Sequence, residues 1–487
     1  MFLTKSKFNI GLNCPRCFWN AMKENDIEGN LSPQEELCKE DVEIRELAKS
    51  LFDNTVDLSE KNFESDILDV FEKLPSKVVI FGAGIKAFNL YARVDILVPS
   101  IDEDDSYDLI EVRSSTRIND EFISEVAFQK YVCEKAGLKI KECKVLHLYD
   151  LYIKKGETNL NELLVTINIT EKVEEFYDEI PKIIRKLHKI SELAEAPEIN
   201  ASKYLSKEYP CEFNSKCWSF LPEDNASQLY RINKGKVVKL FMNNIFEISK
   251  VPDAVLNKNQ LIQKKAIKDN KTYINKEKIS SFIGDLLYPI YYLNIEAFNE
   301  AVPRFYGTKP FEQIPFQYSI IVQEEKDKFE CIEFCHKNDT SPKKPILESL
   351  LAAFGDKGSI VVFNEKFQKA RLKELGVLYT EHQTAIDKIL NRIVDLAAIF
   401  TKFDYYNPLQ KGSCTINNIL LAVTGKIYEE AVLDTSELYI KATFGNELSE
   451  EQLSEEEKSK IYVNLLEGCK KDTKAMVDII SELKKIK

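Results

Sequence analysis

The sequence predicts an α/β protein with two main parts. Strand-like apolar runs alternate with helical segments in each half of the chain, and a lysine-rich stretch separates the halves. With 487 residues, the chain is long enough for two or three domains that each bury a core. We therefore expect an N-terminal domain over residues 1–222, a connecting region over 223–286 and a C-terminal domain over 287–487.

The N-terminal half is predicted to begin with helices and to continue as a mixed sheet. A helix should start at Pro15, because proline suits the first turn of a helix. The further elements are expected in this order: helix 35–53, strands Val78–Phe81, Ala87–Val98 and Tyr107–Val112, a helix from about Asp120 to Ala136, and strand Cys143–Leu151.

The overall charge restricts which surfaces can bind nucleic acid. The net charge is −12, so the average field repels phosphate and any contact must come from a local basic patch. Residues 257–278 hold seven lysines and two acids. This stretch is either a solvated helical linker or a surface that binds the nucleic-acid backbone.

Membrane segments are not expected. No apolar run reaches the roughly 18 residues that a membrane-spanning helix needs, and the N-terminal residues lack the apolar core of a signal peptide. We therefore expect a cytoplasmic protein that does not contact membranes.

Acidic residues stand at or near the ends of two successive predicted strands. Asp95 lies in the first of these strands, and the next strand ends in Glu111-Val112-Arg113. Two carboxylates on neighbouring strands can hold Mg²⁺ or Mn²⁺, which activates a water against a phosphodiester. The alternative is that Asp95 and Glu111 are ordinary strand-end acids.

The segments ARVDIL and DLIEVRSSTRINDEFISEVAFQKYV resemble a RecB-like PD-(D/E)xK nuclease domain. This domain occurs in a bacterial family of unknown function related to the CRISPR-associated RecB-type exonucleases. The chain differs from that family at Arg113, where a lysine is usual; a guanidinium cannot act as a base, but it can position water or phosphate. The resemblance implies catalytic or metal-binding roles for these residues: Glu46, Asp95, Glu111, Arg113, Gln129 and Tyr131.

Four cysteines flank the first half, in the pairs Cys14/Cys17 and Cys211/Cys217. Related RecB-type nucleases bind an iron–sulfur cluster through cysteines at both ends of the domain. The resemblance therefore implies a [4Fe–4S] cluster, with tetrahedral Zn²⁺ as the alternative metal. Four ordinary buried thiols are the other interpretation.

The second half is similar to the RNase H-like (DEDD exonuclease-like) domain of the same family, through the segment NIEAFNEAVPRFYGTKPFEQIPFQYS. Four positions correspond to the acids of such a site: Asn294, Glu296, Gln368 and Asp472. Two of them are amides, and Gly468 stands where a base tyrosine is expected. Because divalent metals rely on anionic oxygens, this second site is predicted to be degenerate.

Taken together, these patterns predict a nucleic-acid-processing protein. The first hypothesis is a metal-dependent DNA nuclease that acts from the N-terminal centre, while the C-terminal domain binds or guides the strand. The alternative is a catalytically decayed protein that binds nucleic acid or serves as a scaffold in a defence or repair complex. DNA is the expected partner, and RNA is an open alternative.

Overall fold

The chain forms two units, each with its own β-sheet, and the predicted α/β fold class is confirmed. The computed structural model describes residues 2–28, 39–59, 70–101, 105–198, 217–325, 328–428, 435–445 and 453–486. The first unit comprises Met1–Ser219 and Glu300–Glu312, and the second comprises Phe220–Asn299 and Gln313–Lys487.

The first unit opens with helices and then builds its sheet. Thr4 caps the first helix, because its hydroxyl accepts a hydrogen bond from the N–H of Lys7 at 3.3 Å. The helices are α1 Lys5–Asn13, α2 Pro15–Glu28, α3 Lys39–Lys49, α4 Asp120–Lys135, α5 Leu160–Leu163, α6 Thr170–Tyr177 and α7 Ile180–Ser191. The strands are β1 Thr55–Asp57, β2 Val79–Ala87, β3 Leu90–Pro99, β4 Ser106–Arg113, β5 Lys139–Leu148 and β6 Leu164–Asn168.

Within the described residues, these strands form one sheet in the order β1-β2-β3-β4-β5-β6. Strands β2, β3 and β4 are antiparallel to one another, β1 pairs parallel with β2, and β5 returns parallel to β4 after α4. Leu109 packs in a core with α1, α4 and α7, whereas Ile110 packs in a core with α3. Successive side chains of a strand point to opposite faces, so Glu111 lies on the face of α1 and α4.

The second unit begins with the lysine-rich region and ends in a long helix. Its helices are α8 Lys234–Met242, α9 Lys258–Asp269, α10 Lys276–Gly284, α11 Lys343–Ala353, α12 Glu365–Leu378, α13 Gln383–Leu390, α14 Ala397–Thr401, α15 Ile416–Thr424, α16 Thr435–Phe444 and α17 Glu455–Leu483. Its strands are β7 Tyr273–Ile274, β8 Ile290–Phe298, β9 Ile314–Glu325, β10 Lys328–Cys335, β11 Ile360–Val362, β12 Ile393–Asp395 and β13 Tyr405–Tyr406.

The main sheet of the second unit has the strand order β10-β9-β8-β11-β12. Strands β8, β9 and β10 are antiparallel, and β11 and β12 run parallel to β8. Tyr292 packs in a core that contains Met476 of α17, and the adjacent Leu293 packs in a core that contains Leu372 of α12. The alternation along β8 therefore places Asn294 and Glu296 on the face of α17.

The segment Glu300–Glu312, which connects β8 to β9, groups with the first unit. The N–H of Gly307 donates to the carbonyl of Lys154 at 2.8 Å, and the N–H of Lys154 donates to the carbonyl of Thr308 at 2.9 Å. Ala301 is buried in the same core as Ile44 of α3. This segment, which contains Pro303, Gly307 and Pro310, is thus held by backbone hydrogen bonds and apolar packing within the first unit.

Within the described parts of the chain, no helix combines the length and the apolar character that a membrane-spanning helix requires.

Candidate functional site

The carboxylate of Glu111 lies at the centre of a buried network in the first unit. Glu111 is 0% exposed, its Oε1 accepts a hydrogen bond from Lys5 Nζ at 2.9 Å, and the same oxygen forms an ion pair with Arg113 Nη2 at 2.6 Å. Its Oε2 accepts a bond from Gln129 Nε2 at 2.8 Å. Strand β4 and helices α1 and α4 therefore place one arginine, one lysine and one glutamine around a single carboxylate.

Asp95 of β3 is bonded in the same way. Arg45 Nη2 of α3 donates to Asp95 Oδ1 at 2.6 Å, and the backbone N–H of Val112 donates to Oδ2 at 2.8 Å. The second bond joins Asp95 directly to the strand that carries Glu111. The structure thus brings together Asp95, Glu111, Arg113 and Gln129, which were predicted to share a site.

The two carboxyl groups differ in their electrostatic environment. Burial alone would raise the pKa of Glu111, but Arg113 and Lys5 lower it to about 2. The pKa of Asp95 is raised by burial and by the negative charge of Glu111, against the opposing effect of Arg45. Glu111 is therefore the fixed negative charge of this centre.

Sequence reasoning missed a third carboxylate, Glu125 of α4. Its Oε2 accepts a bond from Arg113, so the guanidinium bridges two glutamates, and its Oε1 accepts a bond from Asn9. Glu125 precedes Gln129 by four residues, which places both on one face of α4. That spacing was a readable signal once Gln129 had been assigned to the site.

These side chains, as arranged, do not fit a divalent cation. The centre contains equal numbers of acids and bases, namely Asp95, Glu111 and Glu125 with Lys5, Arg45 and Arg113. Each oxygen of Asp95 and Glu111 already accepts a bond from a protein donor. Mg²⁺ and Mn²⁺ need anionic oxygens that are free to face the ion. We therefore derive no metal-dependent step at this centre.

Two predicted residues lie outside this network. Glu46 has a side chain 46% exposed and pairs with Lys49 of its own helix at 2.6 Å, while its neighbour Arg45 reaches Asp95. Tyr131 follows Gln129 by two residues and therefore faces another side of α4. Its ring packs against Tyr177, with the ring centroids 5.8 Å apart.

Three of the four predicted cluster cysteines are described: Cys14 directly precedes α2, Cys17 lies in its first turn, and Cys217 lies beside Asn20 of the same helix. The N–H of Cys17 lies 3.5 Å from Cys14 Sγ, and Asn20 Nδ2 lies 3.7 Å from Cys217 Sγ. Cys211 falls outside the described residues. Cys17 is disulfide-bonded, so it would have to be reduced before it could bind iron or zinc. The cluster stays a prediction.

In the second unit, amides and acids meet in a hydrogen-bonded chain. Asn294 Nδ2 of β8 donates to Asp472 Oδ2 of α17 at 3.2 Å, and Gln368 Nε2 of α12 donates to Asn294 Oδ1 at 3.2 Å. Gln368 Oε1 in turn accepts the backbone N–H of Ile295 at 3.0 Å. The structure thus brings Asn294, Gln368 and Asp472 together, as predicted from the sequence.

Glu296, the remaining predicted residue, is bonded by a glutamine that sequence reasoning missed. Gln317 of β9 pairs in register with Glu296 and donates to its Oε2. Burial and the nearby Asp472 raise the pKa of Glu296 to about 7, and burial raises the pKa of Asp472 to about 6. An amide N–H thus stands beside each acid, where a metal-binding site needs further anionic oxygens.

This second set of residues does not fit a pair of divalent cations either. It offers two carboxyl groups that hold their protons unusually tightly, and amide donors point at both of them. In neither unit does any group of three or more His, Cys, Asp or Glu residues converge on a common metal position, as far as the structure describes them.

The raised pKa values predict a pH-dependent stability. The folded protein binds the protons of Glu296 and Asp472 more tightly than the unfolded chain does, so this contribution is complete below about pH 4 and is lost as the pH rises through 7. The unfolding free energy of the unmodified protein should fall between pH 5 and 8. In Glu296→Gln this fall should be smaller by about 1–2 kcal/mol, with solvent screening taken into account.

Thermal unfolding at several pH values checks this expectation. The exposed Glu277→Gln serves as the control, because it removes one acid from the same unit without touching the site. An unchanged pH dependence in Glu296→Gln would show that Glu296 does not hold its proton in the folded state.

Comparison with known proteins links the chain to families without an assigned activity. Residues 291–415 match the family described as "Domain of unknown function (DUF2779)". This region contains Asn294, Glu296 and Gln368 but ends before Asp472.

Two mycoplasma proteins are similar to part of the chain. The "Uncharacterized protein MG366" of Mycoplasma genitalium is 25% identical over 211 residues, which cover 39% of this chain and 31% of that protein. The "Uncharacterized protein MG366 homolog" of Mycoplasma pneumoniae is 24% identical over 275 residues, covering 52% of this chain and 39% of that protein. The chain thus spans about a third of the length of the curated relatives that it matches, and its match to the domain of unknown function covers residues 291–415, which include most of the main sheet of the second unit.

Proposed function

We propose that this protein binds nucleic acid on a nuclease-like scaffold without cleaving it. The observation that carries the proposal is shared by both centres: protein donors occupy the carboxylates that a nuclease would offer to metal ions. Each centre keeps its side chains assembled, while its charges are satisfied internally. Such a centre can be retained as structure after catalysis is lost.

The arrangement of the first unit supports a nuclease-like origin. The proposed PD-(D/E)xK resemblance requires an aspartate and a glutamate on neighbouring strands and a glutamine on the following helix. Asp95 lies on β3, Glu111 lies on β4, and Gln129 of α4 bonds to Glu111. In the second unit, the proposed RNase H-like resemblance assigns the acid-x-acid position to Asn294 and Glu296, and both lie on β8.

A lysine-bearing surface of the second unit supports nucleic acid as the partner. We define it by the exposed residues Lys258, Lys265, Lys268, Lys271, Lys276 and Lys278, with Tyr273 among them. Lys258, Lys265 and Lys268 share one face of α9 by their spacing. None of the six lysines forms an ion pair with any described residue, whereas Lys264 of the same helix pairs with Asp253 at 2.6 Å.

Unpaired lysines next to an exposed aromatic ring suit a phosphate backbone with accessible bases. Each ammonium that contacts a phosphate releases counterions, and a tyrosine ring can stack on a base. Because the chain carries a net charge of −12, a local surface of this kind has to overcome the average repulsion. We therefore assign binding to the lysine-bearing surface, with single-stranded DNA as the first substrate to test and RNA as the second.

The double variant Lys265→Glu/Lys268→Glu tests this assignment. It should weaken binding to a labelled single-stranded oligonucleotide at least about tenfold at low salt and reduce the slope of log affinity against log salt. Fluorescence anisotropy at several salt concentrations gives both quantities.

The matched control is Lys373→Glu/Lys388→Glu, which makes the same charge change at exposed lysines on other helices of the second unit. Equal losses in the two double variants would mean that only the overall charge matters. No binding by the unmodified protein to DNA or RNA would refute the proposed function.

The second candidate is a metal-dependent DNA nuclease acting from the first centre. It is favoured by the convergence of Asp95, Glu111 and Gln129, and it requires that the metal displace Lys5 and Arg45. The same oligonucleotides incubated with Mg²⁺ or Mn²⁺ distinguish the candidates. If the oligonucleotides are cleaved and Glu111→Gln abolishes the cleavage, the protein is a nuclease and the proposal of binding without hydrolysis is wrong.

A further inference from the structure

Helix α7, Ile180–Ser191, has one apolar face and one basic face. Ile180, Leu187 and Ile190 are buried in the core of the first unit that also contains Leu109. The helix contains no acid, and its opposite face carries four exposed cations. These four residues define the basic face of α7: Lys182, Arg185, Lys186 and Lys189. The first unit therefore holds this helix by its apolar side and turns four positive charges to solvent.

Most of the basic face has no acidic partner. Lys182 pairs with Glu179, just before the helix, at 2.6 Å. Arg185, Lys186 and Lys189 form no ion pair with any residue that the structure describes. The chain has 79 acidic residues and 67 basic ones, so these cations stay unpaired although acids are plentiful. Because like charges on one helix face repel each other, a polyanion that binds there relieves the repulsion.

The packing of α7 argues against a membrane as that polyanion. A helix that lies on a membrane inserts its apolar side chains among the lipids. In α7 these side chains are already used inside the protein, since Ile180 is 0% exposed and Leu187 is 1% exposed. Only the charged side of the helix is left for a partner.

The composition of α7 also favours a duplex over a single strand. Single-stranded nucleic acid is bound by cations together with aromatic rings that stack on its bases, and α7 contains no Phe, Tyr or Trp. The basic face extends over about 10 Å of helix. The same length of DNA duplex carries roughly six phosphates, which is enough to contact every cation of this face.

We propose that the basic face of α7 binds the phosphate backbone of double-stranded DNA without reading its sequence. This inference rests on the proposed nucleic-acid binding and extends it to the first unit. The lysine-bearing surface of the second unit includes the exposed Tyr273 and suits accessible bases, whereas the basic face of α7 offers cations alone. The substrate class that follows is DNA with a double-stranded part and a single-stranded part.

The test measures binding of the full chain to a short labelled DNA duplex by fluorescence anisotropy at several salt concentrations. In Arg185→Gln/Lys186→Gln/Lys189→Gln, the affinity at low salt should fall at least about tenfold. The slope of log affinity against log salt should become shallower by about 2–3, because three phosphate contacts are lost. Affinity for a single-stranded oligonucleotide should fall less. The variant Arg185→Lys/Lys186→Arg/Lys189→Arg keeps the charges and should bind the duplex as the unmodified protein does.

The matched control is Arg117→Gln/Lys155→Gln/Lys172→Gln, which removes one arginine and two lysines from exposed positions elsewhere in the first unit. Equal losses in the two neutral triple variants would overturn the proposal, since only the overall charge would then matter. So would a loss confined to vesicles of phosphatidylserine and phosphatidylcholine, which would make a membrane the partner.

The unmodified protein separates this inference from the proposed function on which it rests. If it binds single strands but no duplex, the proposal for α7 is wrong and the proposed function stands. If it binds neither DNA nor RNA in any form, both are wrong.

Discussion

Replacing Arg113 by methionine is expected to lower the unfolding free energy of the first unit by about 3–5 kcal/mol, because it leaves buried carboxylates without their shared partner. The guanidinium of Arg113 bonds to both Glu111 and Glu125. Burial alone would lower the pKa of Arg113, but the two glutamates raise it, so this side chain carries its charge at every accessible pH.

Two further variants separate the charge of Arg113 from its shape. Arg113→Lys should recover only part of the stability, because one ammonium cannot reproduce a guanidinium that bridges two carboxylates. Arg113→Met/Glu125→Gln should be more stable than Arg113→Met, since it removes one of the stranded charges. Both comparisons use thermal and urea unfolding followed by circular dichroism.

Arg371→Met provides the matched control for a lost arginine. Arg371 is also buried, but its partner Glu374 has a side chain 52% exposed, so the loss should stay below about 1 kcal/mol. If Arg113→Met lowered the unfolding free energy as little as Arg371→Met does, Glu111 and Glu125 would be neutral in the folded protein. That result would remove the basis for treating the centre as a network of ions.

How much of the centre around Glu111 could be predicted depends on how far apart its residues lie in the sequence. Asp95, Glu111 and Gln129 belong to successive elements, and the resemblance to a RecB-like nuclease domain brought them together in the prediction. Lys5 and Arg45 reach the same carboxylates from helices 106 and 50 residues earlier in the chain. Local periodicity carries no information about such contacts, because they depend on how whole elements pack.

The assignment of Glu46 shows the same limit within one helix. In the helix predicted over 35–53, the sequence pattern directs Leu47, Ala48 and Leu51 inward, and these residues do pack in the core that contains Ile110 of β4. The apolar face determines which side of the helix packs against the core, but Arg45 and Glu46 both lie next to this face. Only the position of Asp95 decides that the arginine turns inward and the glutamate turns to solvent.

In the second unit, the order of strands and helices along the chain could be predicted from the sequence, but the register in which β8 and β9 pair could not. The apolar runs Pro289–Ile295 and Ile314–Val322 predict two strands, and these correspond to β8 and β9. Gln317 could not be assigned, because its role depends on pairing directly opposite Glu296. A shift of one residue in that register would have turned the amide to the other face of the sheet.

The second large effect is expected from restoring acids to the second centre with Asn294→Asp/Gln368→Glu. Asn294 Nδ2 now donates to Asp472 at 3.2 Å, and Gln368 Nε2 donates to Asn294 Oδ1 at 3.2 Å. The substitutions replace both donors by acceptors and add negative charge beside two acids. Without metal at pH 8, the unfolding free energy of the full chain should fall by about 2–4 kcal/mol.

Mn²⁺ should reverse this loss, and the reversal is the decisive observation. Four carboxylates around one position bind a divalent cation far better than two carboxyl groups that hold their protons up to pH 6–7. Saturating Mn²⁺ should therefore raise the melting temperature of the double variant by several degrees while leaving the unmodified protein unchanged. Adding Asp472→Asn should abolish the effect, because it removes one ligand. Cleavage is not expected to return with the metal, since Gly468 provides no phenol to position water. Equal stabilisation of the unmodified protein by Mn²⁺ would mean that two acids and two amides already bind the cation, and the second centre would then have to be treated as a metal site.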